Sequence, residues 1–386
     1  MYLPLSWLGY GNQVDTYIGL ETWKQLYVHH EYIPSRGQGH LVAEVLIGVF
    51  SEIGSFYLVN FASILLSIVC LLCFYKIVLK TTCSELISKL SILVVATQPH
   101  WVIISTTAQD DIYAVSFFML GLYLATNNRL VLSALFLALA TSSRIVYGPM
   151  GMFIYGCFFC FQNKDETAPR SKYFISTLLF LFASFALFVP ALMSHHFDIR
   201  SFLDHPSSKQ GFTGNLVRWV YKNVYLWGLP SVILSGFVIA GASIKINGSL
   251  IRGYVDSLNQ NFRQVFYLFV CVAIYTQVMF LEMPHEVFYL IPMLFCVAYF
   301  FAHFPIRFKI RIWGLFIILN IVYSFLSIDI IEIEYQYKDF LRMPRIAIGA
   351  DFRPHLKKGI LVEDVIDRSK YQAYHMKNYK EFIANL

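Results

Sequence analysis

Charged residues are scarce in this sequence: they make up 14% of the 386 residues, whereas hydrophobic residues make up 57%. A soluble domain carries about 25% charged residues, so the composition excludes an ordinary soluble protein. Apolar runs of about 17–25 residues recur along the chain, and that length crosses a bilayer as an α-helix. The net charge of +6 therefore indicates loops that face anionic lipids and does not predict a nucleic-acid partner.

Several motifs of common enzyme classes are also missing. The sequence contains no P-loop, no G-x-G-x-x-G after a strand and no G-x-S-x-G, which argues against nucleotide-driven chemistry in the cytoplasm. No histidine pair has the H-x-x-x-H spacing of a helical metal site, so no cofactor is assigned and a divalent metal stays an open alternative. The two C-x-x-C pairs, which begin at Cys70 and Cys157, lie inside apolar runs, where i,i+3 spacing favours helix packing over a zinc or redox site.

The apolar runs predict an all-α polytopic membrane protein, a bundle of about ten transmembrane helices. We place these spans near 59–79, 88–105, 111–127, 130–143, 147–162, 173–193, 226–244, 264–281, 287–304 and 311–328. Loops rich in Lys and Arg alternate along the chain and are assigned to the cytoplasm. The transmembrane domain is thus 59–328. The extracytoplasmic face receives a first loop with interfacial helices (1–58), a long outer loop (194–225) and a small C-terminal domain or tail (329–386).

Two residues of the first loop are candidates for chemistry. Asp15 begins a segment that can lie on the membrane surface, where it is either a helix cap or a catalytic base; the two roles are compatible. Arg36 follows a Pro-Ser pair and precedes Gly37 and Gly39, which allow close backbone approach. The planar guanidinium of Arg36 can bind a phosphate through two parallel hydrogen bonds. The alternative is that its side chain extends to lipid headgroups.

Further candidates fall on the same predicted face. Asp110 and Asp111 are at the start of a span, where they either cap the helix or have a functional role. Two adjacent carboxylates at membrane level are energetically costly unless they are paired or take part in function. Arg144 ends a short span and is either a phosphate contact or an interfacial cation. A last cluster contains Glu282, His285, Glu286, Tyr289 and Pro292, for which interfacial placement is the alternative.

Taken together, these residues resemble the GT-C superfamily of membrane glycosyltransferases, most closely the protein O-mannosyltransferase and aminoarabinose transferase branch. The likeness consists of an early acid, the run Y-x-P-S-R-x-x-G-H-x-x-x-E at 32–44, an Asp-containing turn and an Arg that ends a short span. It covers roughly residues 11–150, and the P-H-E-x-x-Y-L-x-P stretch at 284–292 adds to it. The family's first transmembrane helix is expected to be absent or reduced to residues 2–9 here.

The resemblance implies a role for each candidate. Asp15 matches the catalytic base, Asp110 or Asp111 matches the second-loop acid, and Arg36 and Arg144 match contacts to the donor phosphate. We assign the remaining candidates to substrate binding: His40, Glu44, His285, Glu286 and Tyr289. The implied donor is a polyprenyl-phosphate sugar that enters from the bilayer.

The expected reaction transfers the sugar to an acceptor hydroxyl on the extracytoplasmic side, with inversion. Such a donor carries a good leaving group, so the site needs a base and cations more than a strong acid. The acceptor is a glycan such as lipopolysaccharide or another cell-envelope polymer, a lipid or a protein, and we favour a bacterial inner membrane over an endoplasmic reticulum. The alternatives are a transporter or flippase of a lipid-linked saccharide, a glycan polymerase or ligase, and a structural membrane subunit.

Overall fold

The computed structural model describes residues 2–11, 14–161, 170–199, 212–243, 260–282, 284, 287–303, 309–332 and 346–351. Three of its helices are long and apolar enough to cross a membrane: Leu41–Thr82, Arg170–Ser194 and Phe262–Glu282. A fourth crossing results if the bent pair Glu85–Thr97 and Pro99–Thr106 forms one span. A mainly helical membrane protein is therefore confirmed, whereas the number of ten spans stays a prediction.

The helices follow one another with short connections over most of the chain. In chain order they are α1 (Tyr2–Leu5), α2 (Val14–His29), α3 (Leu41–Thr82), α4 (Glu85–Thr97), α5 (Pro99–Thr106), α6 (Asp110–Thr126), α7 (Leu130–Ser143), α8 (Tyr147–Cys160), α9 (Arg170–Ser194), α10 (Phe212–Trp227), α11 (Leu229–Ser243), α12 (Gln260–Glu282), α13 (Ile291–His303) and α14 (Lys309–Phe325). Short 3₁₀ turns cover Ser6–Leu8 and Val287–Leu290.

Two predicted spans differ from the helices observed. The span predicted near 59–79 belongs to α3, which begins earlier, at Leu41, and is kinked at Gly54 and Ser55. The span predicted near 88–105 is two helices that meet at 71°. Pro99 explains this break, because it has no N–H to continue α4 but suits the first position of α5. The Gln98 side chain then accepts a bond from Trp101 N at 2.9 Å and so caps α5.

The C-terminal part adds a short sheet to the mainly helical structure. Two strands, β1 (Ser327–Glu332) and β2 (Ile346–Asp351), pair antiparallel from Ser327 opposite Asp351 to Glu332 opposite Ile346. The alternation of apolar and small residues at 345–350 suits a strand that presents different side chains to its two faces. The long loop predicted at 194–225 also contains helix, because its residues 212–225 belong to α10.

The core between the helices is rich in aromatic rings. Phe295 lies edge-on to both Phe74 and Trp101, with ring centroids 5.1 Å apart in each pair. Such pairs contribute about 0.5–1.5 kcal/mol beyond the area they bury. On the outside, α9 exposes Phe174, Phe182 and other large apolar side chains, as expected of a helix in contact with lipid.

The first helices assemble around a close α2–α3 contact. Trp23 of α2 lies directly over Gly48 of α3, where the Cβ of any other residue would come within 2.0 Å of the Trp23 ring. The segment between the two helices, which we call the Arg36 turn (residues 32–39), is closed by a bond from Gly39 N to Arg36 O at 2.8 Å. The first turns of α2 and α3, the Arg36 turn and the start of α6 lie together.

Candidate functional site

A small cleft lies where these segments meet. Its walls come from the first turns of α2, from the Arg36 turn with the start of α3, and from the residues that lead into α6. They are Asp15, Thr16, Gly19, Ser35, Arg36, His40, Ala43, Glu44, Ile47, Ala108, Gln109 and Asp110.

Backbone groups of residues 107 and 108 fix the relative position of these walls. Ala108 N donates to Tyr10 O at 2.9 Å, and Thr16 Oγ1 donates to Ala108 O at 2.6 Å. From α3, Ser63 Oγ donates to Thr107 O at 3.2 Å. Thr16, Ser63, Thr107 and Ala108 are buried, where an unmade hydrogen bond costs about 1–3 kcal/mol. The start of α2, which carries Asp15, is therefore held beside the start of α6, which carries Asp110.

Arg36 connects the two acids. Its Nη2 forms an ion pair with Asp15 Oδ2, and its Nη1 lies 3.8 Å from Asp110 Oδ2. Burial alone would lower the pKa of Arg36, but the charges of Asp110 and Asp15 raise it above its ordinary value. The guanidinium of Arg36 is thus a cation held by two carboxylates of the cleft, those of Asp15 and Asp110.

Asp110 is the centre of a larger set of charges. One of its oxygens lies 2.5 Å from His40 Nδ1 and the other accepts a bond from Arg144 Nη2 at 2.9 Å. Arg144 Nη2 is also 3.1 Å from Asp111 Oδ2, and the guanidinium lies 5.0 Å from the ring centroid of Tyr289. We call Asp15, Arg36, His40, Asp110, Asp111 and Arg144 the charged cluster.

The charged cluster is close to neutral, yet it retains donors for an anion. Its two guanidinium and three carboxylate groups sum to one negative charge. Arg144 is only 2% exposed, and its Nε and Nη1 have no hydrogen-bond partner within the described part of the chain. Buried N–H groups of this kind favour an approaching oxyanion, because the guanidinium has already lost its water.

The structure brings together most of the residues that the sequence singles out. Asp15, Arg36, His40, Asp110, Asp111 and Arg144 form the charged cluster, Glu44 lines the same cleft, and Tyr289 covers Arg144. His285 and Glu286 lie outside the described residues. Asp110 and Asp111 belong to the first turn of α6, whose N-cap is Gln109, so neither of them occupies the N-cap position.

Sequence reasoning missed the partners of Glu44 and one contact from a distant helix. The carboxylate of Glu44 is bonded to Tyr32 and Ser35, two residues that were noted only as letters of a motif. His195, just after α9, has its Nε2 2.8 Å from Gly37 O. No spacing in the sequence indicates the contact between His195 and Gly37, which are 158 residues apart. The partners of Glu44 could have been inferred, because the polar residues Tyr32, Ser35 and Arg36 lie close together just before an apolar helix.

A divalent metal was left open by the sequence, and we compared this alternative with the side chains of the site. Among the residues that the structure describes, no group of three or more His, Cys, Asp or Glu side chains is arranged to hold a metal ion. The carboxylate oxygens of the charged cluster face arginine N–H groups, which already compensate their charge. We therefore derive no step through a metal.

Fold and cleft together define a helical membrane protein with a set of ionised side chains at the ends of its first helices. Comparisons of the chain with protein-family models, curated proteins and solved structures find no significant match.

Proposed function

We propose that this protein is a membrane glycosyltransferase that moves a sugar from a polyprenyl-phosphate donor to an acceptor hydroxyl on the extracytoplasmic side. The observation that carries the proposal is the position of Arg36 between Asp15 and Asp110 on the wall of the cleft. A carboxylate that takes a proton and a cation that holds a phosphate lie side by side there. The apolar helices around the cleft suit a donor whose anchor stays in the bilayer.

The chemistry assigns a different part to each side chain. The acceptor oxygen attacks the anomeric carbon from the side opposite the phosphate, and its proton passes to a carboxylate oxygen of Asp15. As the bond between the anomeric carbon and the phosphate oxygen breaks, negative charge grows on the phosphate. Arg36 stabilises that charge from the wall of the cleft, and Arg144, which contacts Asp110, adds positive charge nearby. The displacement inverts the anomeric centre.

The remaining acids keep the two arginines in place. Asp110 bonds to Arg144, lies near Arg36 and contacts His40, so a single carboxylate fixes the distance between both cations. Asp111 adds a second partner for Arg144. Preorganised cations cost no reorganisation at the moment of reaction, and such electrostatic stabilisation is often the largest contribution to catalysis.

The test measures transfer of radiolabelled sugar from synthetic polyprenyl-phosphate sugars in membranes that contain the protein. Asp15→Asn keeps the size of the side chain but not its basicity, and we expect it to lower transfer by about 10²–10⁴-fold, the usual contribution of a general base. Glu52→Gln is the matched control, because Glu52 is an exposed carboxylate on α3.

Full transfer by Asp15→Asn at equal expression would refute Asp15 as the base. Absence of turnover with several donors, together with passage of a lipid-linked saccharide across vesicles, would favour the transporter instead.

A further inference from the structure

Glu44 holds the Arg36 turn through three hydrogen bonds. It lies in the first turn of α3 and is 4% exposed. Its Oε2 accepts a bond from Tyr32 Oη at 2.6 Å, and its Oε1 accepts one from Ser35 N at 3.1 Å and another from Ser35 Oγ. Both oxygens are therefore occupied by groups of the protein, which leaves little capacity for a substrate.

We propose that Glu44 is a positioning residue that fixes the Arg36 turn to α3 and so sets the place of the Arg36 guanidinium in the cleft. Ser35 is the immediate neighbour of Arg36, and Glu44 binds both its backbone N–H and its hydroxyl. The Pro34–Ser35 peptide, one residue before Arg36, is thereby oriented directly. The effect on catalysis rests on the proposed function, whereas the effect on the turn does not.

The shape of the turn is adapted to this attachment. Gly39 has φ +68°, and a Cβ at this position would lie 2.6 Å from Tyr32 Oη. Glycine thus permits both the backbone conformation and the approach of the phenol to Glu44. Burial first, and then the charge of Glu44, raise the pKa of Tyr32, so the phenol keeps the proton that it donates.

A second attachment lies on the opposite side of the turn and is independent of Glu44. His195 Nε2 contacts Gly37 O at 2.8 Å, and Ala191 of α9 lies beside Gly39. Loss of the Glu44 contacts therefore loosens the 32–36 side of the turn while the 37–39 side keeps its contact with α9. This asymmetry predicts a local effect of Glu44 variants, not loss of the fold.

Hydrogen–deuterium exchange of the purified protein in detergent tests the attachment without any assay of activity. In peptides from residues 31–40, Glu44→Ala should accelerate exchange about tenfold or more, the factor expected when hydrogen bonds to a charged group are lost. Glu44→Gln keeps an oxygen for Ser35 and should accelerate exchange less. Glu52→Gln, on the exposed side of the same helix, should leave these peptides unchanged.

Exchange in Glu44→Ala within twofold of the unmodified protein would overturn the proposal. If Glu44→Ala does not fold, Ser35→Ala and Tyr32→Phe are compared in the same way, and unchanged exchange in both would overturn it equally.

A double-mutant cycle with Arg36 separates positioning from direct contact with substrate. Glu44→Ala alone should lower kcat/KM for the donor about 10²-fold, the size of effect known for a misplacement of about 1 Å. In an Arg36→Lys background the same change should cost less than threefold, because it acts through the guanidinium. Equal losses in both backgrounds would show that Glu44 contacts the substrate itself. If no donor is turned over, the proposed function fails, and the exchange experiment still decides the role of Glu44 in the turn.

Discussion

Replacement of Arg144 by methionine should destabilise this protein more than any change at an exposed charge. Arg144 is among the largest side chains that are fully buried, and it lies 2.9 Å from Asp110 and 3.1 Å from Asp111. Methionine fills a similar volume with an unbranched apolar chain. The packing is thus largely preserved, but the buried Asp111 loses the contact with its cation, and Asp110 keeps only Arg36 of its two arginine partners.

The expected magnitude follows from the cost of an uncompensated buried charge. Removal of one partner from a buried ion pair costs about 3–5 kcal/mol. At about 2–4 °C per kcal/mol, the value for domains of 150–250 residues, this corresponds to a decrease in the thermal midpoint of roughly 6–20 °C. Addition of Asp111→Asn should recover part of the loss, because it neutralises one of the two acids.

The assay is thermal unfolding in detergent, followed by tryptophan fluorescence at one fixed scan rate, since membrane proteins of this size often unfold irreversibly. Arg129→Met is the matched control. Arg129 precedes the same helix, α7, at its opposite end and is exposed, so its replacement should shift the midpoint by no more than about 2 °C. Equal shifts for Arg129→Met and Arg144→Met would refute the reasoning, as would a further loss on addition of Asp111→Asn.

Two further predictions concern the α2–α3 contact and the Arg36 turn. Gly48→Ala should cost about 1–3 kcal/mol of stability, because the new methyl group displaces Trp23. Gly19→Ala, whose Cβ would meet only Glu44 at 3.8 Å, is the control and should be neutral or stabilising in the same melts; a larger loss at Gly19 would contradict the packing described.

The pKa of Tyr32 is raised in the folded protein, so its contribution to stability is complete below the unfolded pKa of about 10 and decreases above it, by at most about 1.4 kcal/mol per pH unit. Melts between pH 8 and pH 11 should therefore fall less steeply for Tyr32→Phe than for the unmodified protein, and parallel curves would contradict this.

Much of the fold could be predicted because apolar runs and helix breakers are local signals. The runs give the helical membrane class, but the span predicted near 88–105 did not include the break at Pro99, where α5 begins. Helix α10 was hidden by its polar residues, such as Asn215, Arg218 and Lys222, since an amphipathic helix produces no long apolar run. The pairing of β1 with β2 depends on contacts between distant residues, which composition does not record.

The candidate site was predictable in its residue types but not in its connections. An acid, an arginine between glycines and a pair of acids at a helix start are unusual at membrane level, and this made Asp15, Arg36 and Asp110 candidates. Their mutual contacts could not be read from spacing, because they depend on how Thr16 and Tyr10 bind the backbone at Ala108. Glu44 is an example. Its residue type suggested a role in substrate binding, whereas its hydrogen bonds to Tyr32 and Ser35 support the proposal that it positions the Arg36 turn.

The order of the charged cluster along the chain has a consequence for biosynthesis. All of its members lie within the first 144 of the 386 residues, so every cation is translated together with the acids that neutralise it. Chains fold from the N-terminus as they emerge, at about 5–20 residues per second. The segments that carry these ion pairs, α2, the Arg36 turn, α6 and α7, are thus complete seconds before the segment with Tyr289 is synthesised.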